Sequence, residues 1–179
     1  GSGLPRVIAA LAELRTDLVF LALHGGSGEN GEVQALLDAH QIRYTGSGRL
    51  GSAIAWDKSL SKELFSFAQI PTPAWLTAPA EAATVERHLG FPVIVKPAGE
   101  GSTVGLSLVR TRDELAAAIA AARAFDSTVL IERFVAGREL TVGVLDGQPL
   151  PEGAGDAEAL QQLLGYLDRE QKGFYMHVR

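Results

Sequence analysis

The sequence predicts an α/β fold whose second part is α+β in character, a parallel-type unit followed by a sheet with a helix laid on it. Three observations predict it. A strand, a glycine loop and a helix succeed one another over residues 17–37. Two strands, an Ala-rich helix and two further strands follow over residues 92–145. Glycine- and proline-bearing breaks separate these stretches.

In chain order, Asp17 to Leu23 is continuously apolar after its first residue, which suits a strand buried on both faces. Gly25-Gly26-Ser27-Gly28 turns the chain, and Glu32 to Leu37 reads as a helix. Ile42 to Thr45 is a second strand. The glycines from Gly46 to Gly51 mark a hinge, after which Ile54, Trp56, Leu60, Leu64 and Phe67 give one helix ending before Pro71. Residues 92–97 and 104–109 read as strands around a glycine-containing turn, so the second returns as a hairpin partner. Thr111 and Glu114 form a capping box that opens a helix over 112–125. Thr128 to Phe134 and Glu139 to Leu145 are strands meeting at Gly137, and Asp156 to Lys172 is a polar helix with acids first and bases last.

Composition narrows the function classes. The 179 residues suffice for one ordinary domain or two small ones, and 46% apolar with 21% charged residues is globular usage. A net charge of −5 without basic runs gives no footprint for nucleic acid or an anionic membrane. The apolar run Leu18 to Leu23 falls well short of the roughly 20 residues that span a bilayer. No signal-like segment opens the chain, so a cytoplasmic protein is expected. With no cysteine and four scattered histidines, any metal would need oxygen ligands.

The chemistry concentrates in Lys96 to Gly105, Lys-Pro-Ala-Gly-Glu-Gly-Ser-Thr-Val-Gly. A strand delivers a lysine, and a small-residue loop then exposes backbone N–H groups, the combination a polyphosphate requires. The lysine precedes the glycines and no helix follows directly, so this is not a Walker loop. By itself it reads equally well as a hairpin turn beside a surface lysine. Glu132 and Glu139 flank the turn of the last strand pair. They suit the hydroxyl pair of a ribose, with Phe134, Val135 and backbone amides holding an adenine, or else are solvated acids paired with Arg133 and Arg138.

Six ordered blocks decide between these readings: His24-Gly25 with Gly28-Glu29-Asn30-Gly31-Glu32-Val33-Gln34, Tyr44 to Gly48, Asp57-Lys58, Val93 to Pro97, Glu100 to Gly105, and Glu132 with Gly137 to Val142. Their order and spacing over residues 17–151 closely resemble the D-alanine:D-alanine ligases, ATP-grasp enzymes of peptidoglycan synthesis. The resemblance implies a partial Rossmann-like preATP-grasp domain over 1–50, the ββαββ central ATP-grasp subdomain over 51–151, and an atypical helical tail over 152–179. It implies ATP as co-substrate and D-alanine as substrate. Lys58 and Lys96 are then the phosphate lysines, Glu132 approaches the adenine amine beside Val135, and Glu139 approaches the ribose. Glu100, Gly101, Thr103 and Gly105 belong to the phosphate-covering turn. Ser102 enters the network around the incoming amine, its rival reading being a turn serine. His24 lies near the first substrate, or is merely packed at a strand end.

The family also uses Mg2+, but its Asp, Glu and Asn ligands and an arginine have no counterpart after Pro151. The resemblance therefore implies a chain truncated at both ends that does not ligate D-alanine alone, with no metal ligands of its own. Asn30 stands where the family commonly has aspartate. The other class of function is a non-catalytic nucleotide-binding or interaction module on the same fold. A further expectation is that Val93, Val95, Leu106, Leu130 and Val142 share an apolar sheet face, covered by the stripe Leu160, Leu163, Leu164 and Leu167 within the chain or across a homodimer.

Overall fold

The structure is a computed structural model that describes residues 3–137 together with the strand residues 144–145 and 148–149. The residues up to 137 divide into two units at Ser52/Ala53.

In the first unit, helix α1 (Leu4–Glu13) and helix α2 (Glu32–Ala39) share one core with two short parallel strands, β1 (Leu18–Val19) and β2 (Arg43–Tyr44). Leu4, Ile8, Leu11 and Ala12 recur at helical spacing and pack against Val33, Leu37 and Ile42. The stretch 17–23 is not a strand buried on both faces. Only Leu18 and Val19 join the ladder, Val19 and Leu21 turn inward, and Leu18, Phe20 and Leu23 are exposed. The described unit covers one face of this stretch, so the side chains alternate. Between β1 and α2 the chain closes a tight turn at Gly26–Gly28, where a Cβ on Gly28 would lie 2.7 Å from that of Leu23.

The one helix expected over 54–67 is two, α3 (Arg49–Trp56) and α4 (Lys58–Phe67). Asp57 breaks them apart because its extended backbone lets the carboxylate cap α4, accepting from the backbone N–H of Ser59 at 2.9 Å and of Leu60 at 3.2 Å. The Ser59 hydroxyl bonded to it at 2.5 Å, with these amides, holds the Asp57 carboxyl below the usual carboxylate range. Asp57→Ala is therefore expected to cost about 1 kcal/mol at neutral pH. A depressed folded-state pKa stabilises above the unfolded value and stops doing so as pH falls through the folded one. Urea titrations should thus show the wild-type advantage at pH 7 shrinking below about pH 4.

The second unit is a four-stranded antiparallel sheet in the order β3 (Trp75–Thr77), β6 (Val129–Arg133), β4 (Val93–Pro97), β5 (Ser107–Val109). Strand β3 and helix α5 (Ala82–His88) lie in a proline-rich stretch that carries no strong periodicity in sequence. As an edge strand, β3 tolerates the nearby prolines. Thr111 and Glu114 form the expected capping box, opening a 3-10 turn that leads into helix α6 (Leu115–Arg123).

Alternation divides the sheet into two faces. Val93, Val95, Val109, Val129 and Ile131 pack under Val85 and Leu89 of the α5 region and Leu115, Ala118 and Ala122 of α6. Trp75, Ile94, Lys96, Leu108, Leu130 and Glu132 belong to the other face by register. The single apolar face expected from Val93, Val95, Leu106 and Leu130 is therefore not formed. Val93 and Val95 are covered by helices, Leu130 is fully buried on the opposite side, and Leu106 lies in the turn before β5. Strand β5 starts at Ser107 rather than at residue 104, because backbone bonds from Val104 to Gly101 and from Leu106 to Thr103 keep the chain turning. Val142, the leucine stripe and the tail helix lie outside the described residues, as does most of the strand expected from Glu139. Of that strand, Val144–Leu145 is described as strand β7, which pairs antiparallel with strand β8 (Gln148–Pro149).

Candidate functional site

The site is built on the second face of the β3–β6–β4–β5 sheet, beneath helix α4. Lys58 is the first residue of α4, and its Nζ donates to the carbonyls of Ala98, at 3.1 Å, and Glu100. Its backbone N–H also donates to Ala98. Asp57 as cap fixes where α4 begins, so one helix start ties down the chain leaving β4. Burial lowers the pKa of Lys58, and the nearby charge of Lys96 lowers it further.

Lys96 on β4 and Glu132 on β6 point to the same face, and Lys96 Nζ lies 2.8 Å from Glu132 Oε2. A lysine absent from the sequence expectations, Lys62, holds the other oxygen, Oε1, at 3.2 Å. Lys62 is 5% exposed, its ammonium donates to Thr72 Oγ1 at 2.7 Å, and the Trp75 ring lies 5.0 Å from it. Burial lowers its pKa against the attraction of Glu132. The spacing of Lys58 and Lys62, four residues apart on one helix, was the available sequence signal. The apolar pattern pointed the other way, yet Leu60, Leu64 and Phe67 are exposed and Lys62 is the buried residue of α4.

The loop after β4 is tethered at its base by Asp126, whose Oδ2 accepts from Gly99 N–H at 2.7 Å and whose Oδ1 accepts from Thr128 N–H at 2.9 Å. Ser102 and Thr103 both take left-handed backbone, φ 50° and 61°, a conformation unfavourable for residues with a Cβ, most of all a β-branched one. At Gly105, φ is 70°, and a Cβ would lie 2.8 Å from Pro97 Cγ and from Phe125 Cδ2, so only glycine closes this turn without displacement. Glu100 and Gly101 are partly exposed, and Ser102 and Thr103 are exposed.

Phe134 and Val135 follow β6 as exposed apolar residues. Arg133 is turned away from Glu132, donating to the carbonyls of Leu89 at 3.0 Å and His88 at 3.2 Å, so the Glu132–Arg133 pairing is not formed. Glu139 and Arg138 lie outside the described residues. His24 belongs to the first unit, where it is exposed rather than packed. Among the described residues no three His, Asp or Glu side chains converge as metal ligands, so none is assigned to magnesium. No described helix is long and apolar enough to cross a membrane.

Comparison with known proteins places these features in context. The family model for the D-ala D-ala ligase C-terminus matches residues 60–172, more than half of the chain, and that for the N-terminus matches residues 6–47. A D-alanine–D-alanine ligase of Halorhodospira halophila is 50% identical over 135 residues, which are 75% of this chain and 44% of that protein. One from Chromohalobacter salexigens is 44% identical over 167 residues, 92% of this chain and 52% of the relative. Among solved structures, the Bacillus anthracis ligase complexed with ATP superposes with a TM-score of 0.71 at 36% identity, covering 80% of this chain and 48% of that one. The chain thus spans about half the length of the curated relatives it matches.

Proposed function

The chain belongs to the D-alanine–D-alanine ligase family, and on that premise we propose that its second unit holds ATP for the joining of two D-alanines into a dipeptide. The observation that carries this reading is the convergence of Lys58, Lys96 and the Gly99–Gly105 loop on one sheet face. Lys58 and Lys96 attract the polyphosphate, and the loop amides add donors where side chains are small. Glu132, at the far side of Lys96, faces the base, and Val135 offers it an apolar contact. Glu139 takes the ribose hydroxyls as an acceptor.

In the proposed reaction the first D-alanine carboxylate attacks the terminal phosphorus and ADP departs. The second amine then attacks the acyl phosphate, and inorganic phosphate leaves from the tetrahedral adduct. Negative charge grows on the transferring oxygens, which is where fixed cations and loop N–H groups lower the barrier. Ser102 orients the incoming amine and His24 the first D-alanine. With ATP and a free amino acid as substrates, the reaction belongs to the cytoplasm.

Titrating ATP into 15N-labelled protein tests the reading. Shifts centred on Lys58, Lys96, residues 99–105 and Glu132 are expected, and shifts confined to other surfaces would overturn it. Lys58 adds a pH prediction. Its proton affinity is lowered in the free protein and rises when phosphate arrives, so binding takes up a proton in the alkaline range. ATP affinity should be constant at neutral pH and decline as pH rises toward the ordinary lysine value of about 10.4. Lys58→Arg, charged throughout, should flatten that decline in calorimetric titrations.

A further inference from the structure

We propose that Glu132 works by counter-ion exchange: Lys62 is the cation that stays with its carboxylate, and so releases Lys96 to the phosphates of an arriving nucleotide. The inference rests on the reading of Lys96 as a phosphate ligand and adds a positioning residue to it. Each Glu132 oxygen is matched to one ammonium, Oε1 to Lys62 and Oε2 to Lys96. The carboxylate side chain is 10% exposed, and a buried charge stripped of every partner is strongly disfavoured. Were Lys96 its sole partner, drawing Lys96 toward phosphate would leave Glu132 bare. The second lysine removes that obstacle.

The two lysines are not equivalent. The Lys96 side chain is 22% exposed, against 6% for Lys62, and sits near the loop end of β4. Lys62 is fixed from three sides, by Glu132, the Thr72 hydroxyl and the Trp75 ring. Lys96 also repels the charge on Lys62, so its departure removes a like charge from beside the cation that stays. Lys62 therefore acts without touching the nucleotide, through the freedom it gives Lys96.

Tripolyphosphate, which carries the phosphates without a base, is the probe. Its affinity is measured calorimetrically for the wild type, Lys62→Met, Glu132→Gln, the double variant, Lys62→Arg and Lys96→Ala. Lys62→Met should weaken binding about tenfold, because Lys96 is then committed to Glu132. Glu132→Gln should tighten it, and in that background Lys62→Met should change affinity by less than about twofold. Lys62→Arg should restore binding to within about threefold of wild type, its charge being retained. Equal weakening by Lys62→Met in both backgrounds would overturn the exchange, since Lys62 would then act on phosphate directly or through the fold. So would no weakening while Lys96→Ala weakens. If Lys96→Ala leaves binding unchanged, the phosphate reading itself fails, and the inference with it. Should Lys62→Met not fold by circular dichroism, Lys62→Gln, which keeps a donor for Thr72, takes its place in the same cycle.

Discussion

Lys96→Ala is expected to lower ATP affinity by about 100-fold, a loss of about 2.7 kcal/mol, within the range for removing one member of a desolvated charge pair. Lys96 is the cation on the sheet face between the Gly99–Gly105 loop and Glu132. Its ammonium is partly sheltered from water, so attraction to a multiply charged phosphate is screened less than on an open surface. The fold should survive, because Glu132 keeps Lys62 as its partner and the strand pairing uses backbone groups. Calorimetry with ATP, together with a melting curve, separates the two effects. A variant that binds ATP as the wild type does would show that the lysine serves only the ion pair.

The largest loss of stability is expected at Ile131. Its side chain is fully buried beneath α6, and its strand β6 lies between β3 and β4. Ile131→Ala removes three methylene-sized groups from a position where fixed strands limit collapse, so about 3–4 kcal/mol is expected. That is a large part of the roughly 5–15 kcal/mol that holds a typical domain together. The urea midpoint should fall while the slope of the transition stays constant. Val104→Ala, in the exposed loop, should change stability by less than about 0.5 kcal/mol. If the two substitutions prove equally mild, the sheet is not the stabilising centre of this unit.

Strands β4 and β6 were legible in sequence because apolar residues concentrate in short runs bounded by proline, glycine or polar residues. Helix α6 was legible through its capping box and alanine run. Strand β3 was not, since three residues between prolines give no period and its pairing with β6 is made across more than fifty residues of chain. The break at Asp57 was missed for another reason. The apolar spacing on either side continues through it, and only the side-chain cap reveals that the backbone does not. In the site, Lys58, Lys96 and Glu132 stood out as charges in a recognisable order. Lys62 was hidden because α4 inverts the usual rule, burying an ammonium while leucines stay exposed. A buried lysine depends on a carboxylate seventy residues away, and such a partner is invisible until the sheet brings it near.

The left-handed pair Ser102-Thr103 also bears on how this protein can be engineered. Each residue sits in a conformation that disfavours side chains by about 1–2 kcal/mol. A search for heat-resistant variants would therefore be drawn to this turn, where glycine or asparagine relieves the backbone directly. Selection for nucleotide binding would weigh on the same two positions differently, because they lie in the loop proposed to supply amides to the phosphates. Libraries screened for thermal survival alone should accumulate changes at these two positions, and the same changes should be depleted when ATP binding is selected.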